Sequence, residues 1–224
     1  MHRRQRRHPP ADRRRRPADL VTSPARPRAV LVLVAVLALL AGVGGTAAVT
    51  RLTSTTQVTD FGADAGFARD MQTHHLQAVE MAFAVRDDTT DEAVRTLAFD
   101  IITSQQQQAG QMYGWLVQWG LPQTASRAPM AWVGGEHAAH GASGDGMPGM
   151  ATPAQLDELR AARGVEAERL FLRLMIAHHR GGVQMADAAL ADARTDEVRT
   201  LAGAISRAQT AEITLMEQML AERS

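Results

Sequence analysis

Phe67–Ala82 reads FARDMQTHHLQAVEMA, and Phe171–Ala186 reads FLRLMIAHHRGGVQMA. The two stretches lie in register at a shift of 104 residues, pairing Phe67/Phe171, Arg69/Arg173, Met71/Met175, His74/His178, His75/His179 and Met81/Met185. The agreement resumes downstream, where Val94–Ala98 and Val198–Ala202 both read VRTLA, followed by Gln105/Gln209 and Met112/Met216. An ungapped match that returns after an intervening stretch marks an internal duplication. The fold therefore reads as one helical hairpin made twice.

In the first copy the pattern predicts a helix from near Asp64 to about Arg86, a break at 87–90, and a second helix from Asp91 to Trp119. Thr89–Glu92 reads as a capping box for the restart, and Gly120 with Pro122 ends the second helix. The second copy predicts a helix from about Val165 to Arg194, a break at Thr195 and a helix from there to about Glu222. A short extra helix over 153–163 has Thr152 as N-cap, Pro153 at its first position and Gly164 as its stop. Two such hairpins predict an all-α, ferritin-like four-helix bundle with a pseudo-twofold axis. The expected organisation is repeat one over 64–120, a His/Met/Gly-rich loop over 121–151 and repeat two over 152–222, within a domain spanning 61–224.

The first sixty residues differ in kind. Residues 1–28 carry ten Arg against Asp12 and Asp19, a net +8, which leaves the rest of the chain at −8 because the whole is neutral. Residues 29–49 hold no charge over 21 positions, about 30 Å of helix, enough for a bilayer core. The expected arrangement is a cytoplasmic basic tail (1–28), a signal anchor or cleaved signal peptide (29–49) and a linker (50–60). This places the body outside a cell membrane, single-pass, or secreted if the segment is removed. The Arg tract reads as topogenic and not as a nucleic-acid site. The chain has no Cys, which excludes disulfides, thiolate sites and a lipoprotein anchor.

Met71 and His75 stand four apart and share a helix face, as do Met175 and His179. Met81 and Met185 follow His74 and His178 by seven residues, on the same side. If the first helices of the hairpins face each other, four His and four Met converge. Imidazole and thioether donors suit Cu(I). Asp70, four residues before His74, is a candidate to orient it. A second candidate metal site is His137, His140, Met147 and Met150 in the loop. The alternative is that the His pairs form a structural cluster pinning the hairpins, since buried His needs polar partners. Gln105–Gln108 reads as solvated face or partly as inter-helix hydrogen bonding, and Gly181-Gly182 as a place of close helix approach or a local kink. No Glu-x-x-His, phosphate loop or Ser-His-Asp signature points to an enzyme, and an oxidoreductase is the weakest reading. A homodimer is compatible with the pattern, and the sequence names no metal-transfer partner.

The doubled motif, Phe67…Met71…His74-His75…Met81-Ala82 and Phe171…Met175…His178-His179…Met185-Ala186, resembles the CopM-like family, domain of unknown function 305. The resemblance covers about residues 60–222. It implies a ferritin-like bundle, exported or membrane-anchored, that binds copper or silver, as Cu(I), in metal homeostasis. It also implies the ligand set Met71, His74, His75, Met81, Met175, His178, His179 and Met185.

Overall fold

A computed structural model of the chain describes residues 57–134 and 146–223, together with Leu39. The chain divides into two units, Met1–Thr55 and Thr56–Ser224, and the five helices that follow all lie in the second. The expected membrane segment, 29–49, lies outside the described residues save Leu39. No described helix is long and apolar enough to cross a membrane.

The described residues are helical, without strands: α1 (Ala63–Asp88), α2 (Glu92–Gln118), α3 (Pro153–Ala161), α4 (Gly164–Asp192) and α5 (Asp196–Ala221). α1 packs on α2 and α4 on α5 as hairpins, and the hairpins meet chiefly along α1 and α4. Thr152 caps α3 as the sequence predicts, in a capping box with Gln155 and with Pro153 at the first position. The restart at α2 differs from expectation. Asp91, and not Thr89, is its N-cap, accepting from the backbone N–H of Ala93 and Val94 at 2.9 and 3.0 Å. Thr89 instead donates its hydroxyl to Glu168 at 2.6 Å.

That bond belongs to a reciprocal pin between the hairpins. Asp64 opens α1 and reaches the turn between α4 and α5, accepting from Thr195 N at 2.9 Å and Thr195 Oγ1 at 2.7 Å. Glu168, 104 residues later, opens α4 and reaches the turn between α1 and α2. Arg223 adds a second clasp there, bonding Glu168 at 2.8 Å and Asp91 at 2.6 Å. Asp64 and Glu168 are almost fully buried, so their bonds form where water competes little.

The apolar core falls into two clusters, each drawing on all four long helices. One gathers Phe67, Met71, Met112, Leu116, Met185 and Ile205. The other gathers Met81, Ile101, Phe171, Met175, Leu172 and Met216. The shift of 104 exchanges them, since Met71 and Met175, Met185 and Met81, Met112 and Met216 take opposite ends. α1 and α4 therefore run antiparallel about a pseudo-twofold, and the His pairs sit midway between the clusters.

Removing the pin tests it. Asp64→Ala leaves the buried Thr195 donors unpaired and is expected to lower the unfolding free energy by about 2 to 3 kcal/mol in chemical denaturation. A loss under about 0.5 kcal/mol would show that the pin is incidental.

Candidate metal centre

A helix that must bury one stripe against two neighbours normally fills it with apolar residues. Here the centre of the stripe on α1 and on α4 is His-His, and all four imidazoles are wholly buried. The rings of His74 and His178 stack across the interface with centroids 3.7 Å apart and planes inclined by 32°. His178 and His179 lie 6.2 Å apart.

The outer nitrogen of three rings is tied to an oxygen. His75 Nε2 lies 2.7 Å from Gln108 Oε1, His179 Nε2 lies 2.7 Å from Glu212 Oε2, and His74 Nε2 lies 3.1 Å from the carbonyl of Pro148. An oxygen of this kind accepts, so Nε2–H donates and the lone pair is left on Nδ1. All four Nδ1 atoms are buried without a hydrogen-bond partner, as is Nε2 of His178. Gln105 Oε1 and both amide atoms of Gln209 share that condition. Buried polar atoms are nearly always paired, so a concentration of unpaired nitrogens marks a place for a bound partner, an ion or an ordered water.

Burial lowers the basicity of His74, His75 and His178. His74 is brought down to about 4 by desolvation and by its neighbour His179, against which the Pro148 carbonyl acts in the opposite sense. His75 falls to about 3 through desolvation and the proximity of His74. His178 is likewise held well below the usual imidazole range by burial and by the other three rings. Neutral imidazoles are the ligand form.

The thioethers bracket this layer. Met71 and Met185 belong to one core cluster, Met81 and Met175 to the other, and all four are fully buried. Donor chemistry is thus nitrogen and sulfur, which suits a soft cation. Among the described residues no three His, Asp or Glu side chains form a ready-made coordination group. The residues that would hold a metal are the imidazoles together with the flanking thioethers, and the metal would supply a positive charge for their lone pairs.

Asp70 does something other than the sequence suggests. Its Oδ2 accepts from Met130 N and Trp132 Nε1, both at 2.7 Å, and so fixes the 130–132 turn instead of His74. Met130 takes a φ of 63° there. Burial raises the Asp70 carboxyl while those two bonds oppose the rise. Of the partners of the His pairs, Gln108 lies in the run read as solvated face or inter-helix hydrogen bonding, and it makes such a bond, whereas Glu212 is not singled out by the sequence reading. They were visible in principle, because each lies 33 residues after its histidine and the two are 104 apart. Gln105, in the same glutamine run, is buried.

The loop reaches the site through 146–151. Gln77 holds Ala151 through its amide, at 3.0 and 2.7 Å, and Pro148 delivers its carbonyl to His74. A Cβ at Gly181 would collide with the backbone carbonyl of Pro148, so that position requires glycine, whereas one at Gly182 would meet only the end of the Gln209 side chain. Met147 packs against the Met71/Met185 cluster and Met150 is half-buried. His137 and His140 lie outside the described residues.

A protein-family model for the domain of unknown function DUF305 matches residues 64–220. The chain belongs to the DUF305 family. A solved DUF305 protein from Streptomyces coelicolor is 47% identical, with 74% of this chain and 96% of that one covered at a TM-score of 0.68. A DUF305 fragment from Deinococcus radiodurans is 36% identical over 71% of this chain and 96% of its own, at a TM-score of 0.59. CopM in its Cu(I)-bound form is 28% identical over 74% of this chain and 98% of its own, at a TM-score of 0.55. CopM is also solved with Cu(II) and with Ag. Among curated proteins none matches.

The buried rings set a pH dependence for the metal-free DUF305 body. In the unfolded chain these His titrate near 6.5, whereas His74 and His75 titrate at about 4 and about 3 when folded. Between those values the unfolded state binds more protons, so stability is complete above 6.5 and is lost as the pH falls toward 4. The expected slope is about 1.4 kcal/mol per pH unit for each such ring. Melting temperatures of metal-free protein from about pH 7 to about pH 4.5 read it. A flat profile would contradict the burial, and His75→Gln should shallow the slope.

Proposed function

We propose that this protein binds a soft metal ion, Cu(I) or Ag(I), at the buried His layer of a duplicated, ferritin-like four-helix bundle, and sequesters or hands on that ion outside the cytoplasm. The observation that carries the reading is the set of four buried Nδ1 atoms without partners, three of them on rings whose Nε2–H is held by an oxygen. That arrangement orients an imidazole toward a metal, as an outer hydrogen bond does for ligating histidines generally. The likeness to CopM, solved with Cu(I) and Ag, supports the choice of metal. His74, His75, His178 and His179 are the nitrogen donors, and Met71, Met81, Met175 and Met185 the sulfur donors.

Titration of the purified protein with Cu(I) against a competing chelator tests this. Native protein should bind tightly and the His74/His75/His178/His179→Ala variant should not. Equal binding by both would end the proposal.

A second reading, in which the layer only joins the hairpins, is favoured by the 3.7 Å stack of His74 on His178. It predicts that loss of the His pairs lowers the melting temperature equally with and without metal. A metal-dependent rise confined to native protein counts against it.

The charge-free 29–49 segment behind its Arg-rich flank supports an anchor or signal with the bundle outside. Because the chain has no Cys, Thr200→Cys on the exposed face of α5 gives a single thiol. A membrane-impermeant maleimide should label it in intact cells if the protein is retained, and labelling only after lysis would place the bundle inside.

A further inference from the structure

The two halves of the His layer differ in one charge. His75 Nε2 meets the neutral amide of Gln108 and His179 Nε2 meets the carboxylate of Glu212, each at 2.7 Å and each 33 residues along the chain. The geometry is the same, so hydrogen bonding alone does not explain why one position is Glu.

The carboxylate is also kept from other cations. Arg180, the neighbour of His179, pairs with Glu217 at 2.6 Å, and among the described residues Glu212 forms no ion pair with an arginine. Asp70, the acid nearest in sequence to the first His pair, has its carboxylate oxygen engaged by Met130 and Trp132. Imidazoles, thioethers and the amides of Gln105 and Gln209 bring no charge. One carboxylate is thus bonded directly to the layer, with its side chain a quarter exposed at the rim.

A buried ion is costly unless its charge is matched. One negative charge matches one monovalent cation, whereas a divalent ion would leave an excess. We propose that Glu212 is the specificity-determining counter-charge of the site: acting through His179, it makes the layer a receptor for a single monovalent soft cation held on the α4/α5 side. This rests on the soft-metal reading above. Glu212 is a positioning residue with a charge; it need not touch the metal.

The protein supplies its own control, because Gln108 shows that a glutamine here still holds the imidazole. Glu212→Gln should therefore keep the fold and remove only the charge. The experiment measures Ag(I) affinity by competition on the full-length protein, for wild type, Glu212→Gln and the exchanged Gln108→Glu/Glu212→Gln variant, with metal-free melting temperatures alongside. Glu212→Gln is expected to weaken Ag(I) binding about 10-fold or more with an unchanged metal-free melting temperature, and the exchanged variant to recover to within about threefold of wild type. Equal affinity of wild type and Glu212→Gln overturns the assignment while leaving the soft-metal reading intact. So does weakened binding that the exchange fails to restore. A wild type that takes up no Ag(I) overturns the soft-metal reading itself, and the assignment with it.

Discussion

Four imidazoles are held out of contact with bulk solvent between α1 and α4, and the rest of the body is arranged around that burial. Placing polar rings in a core costs stability unless their nitrogens find partners. The structure meets part of this demand with Gln108, Glu212 and the carbonyl of Pro148. It leaves the Nδ1 side of every ring unmet. The apolar clusters on either side supply the hydrophobic stabilisation that makes the burial tolerable, and the Asp64 and Glu168 clasps fix the register of the hairpins. A core divided by a polar layer is a poor way to maximise stability. It is a good way to hold four imidazoles buried and oriented.

The two halves share their frame and differ in detail. Positions 104 apart exchange places between the core clusters, so the frame is close to symmetric. Gln77 grips Ala151 where its counterpart Gly181 makes room for Pro148, so the 146–151 strap crosses the layer asymmetrically. Ala78 stands in register with Gly182, which the end of the Gln209 side chain approaches closely. Gln108 against Glu212 adds the difference in charge. The Pro148 carbonyl and the Gln108/Glu212 pair act directly on the His layer.

The helices and the convergence of the His pairs were legible in the sequence because periodicity and register report which residues share a face. The N-cap of α2 was not, since Thr89 and Asp91 are both good caps and a long-range bond to Glu168 decides between them. The role of Asp70 was missed for a similar reason. Its i,i+4 spacing to His74 is local, but its partners, Met130 and Trp132, come from a loop sixty residues away in sequence. Gln108 lies in a run that reads as solvated face or inter-helix hydrogen bonding without a named partner, and Glu212 escaped notice although the 104-residue shift aligns it with Gln108.

The account turns on which nitrogen of each ring is free, and long-range proton–nitrogen correlation spectra of the imidazoles in isotopically labelled protein report that atom by atom. The account predicts that His74, His75 and His179 carry their proton on Nε2 in metal-free protein, and that Ag(I) shifts Nδ1 resonances of the buried rings while the Nε2–H signals persist. Protons found on Nδ1, or Nδ1 resonances that do not move when Ag(I) is added, would contradict it.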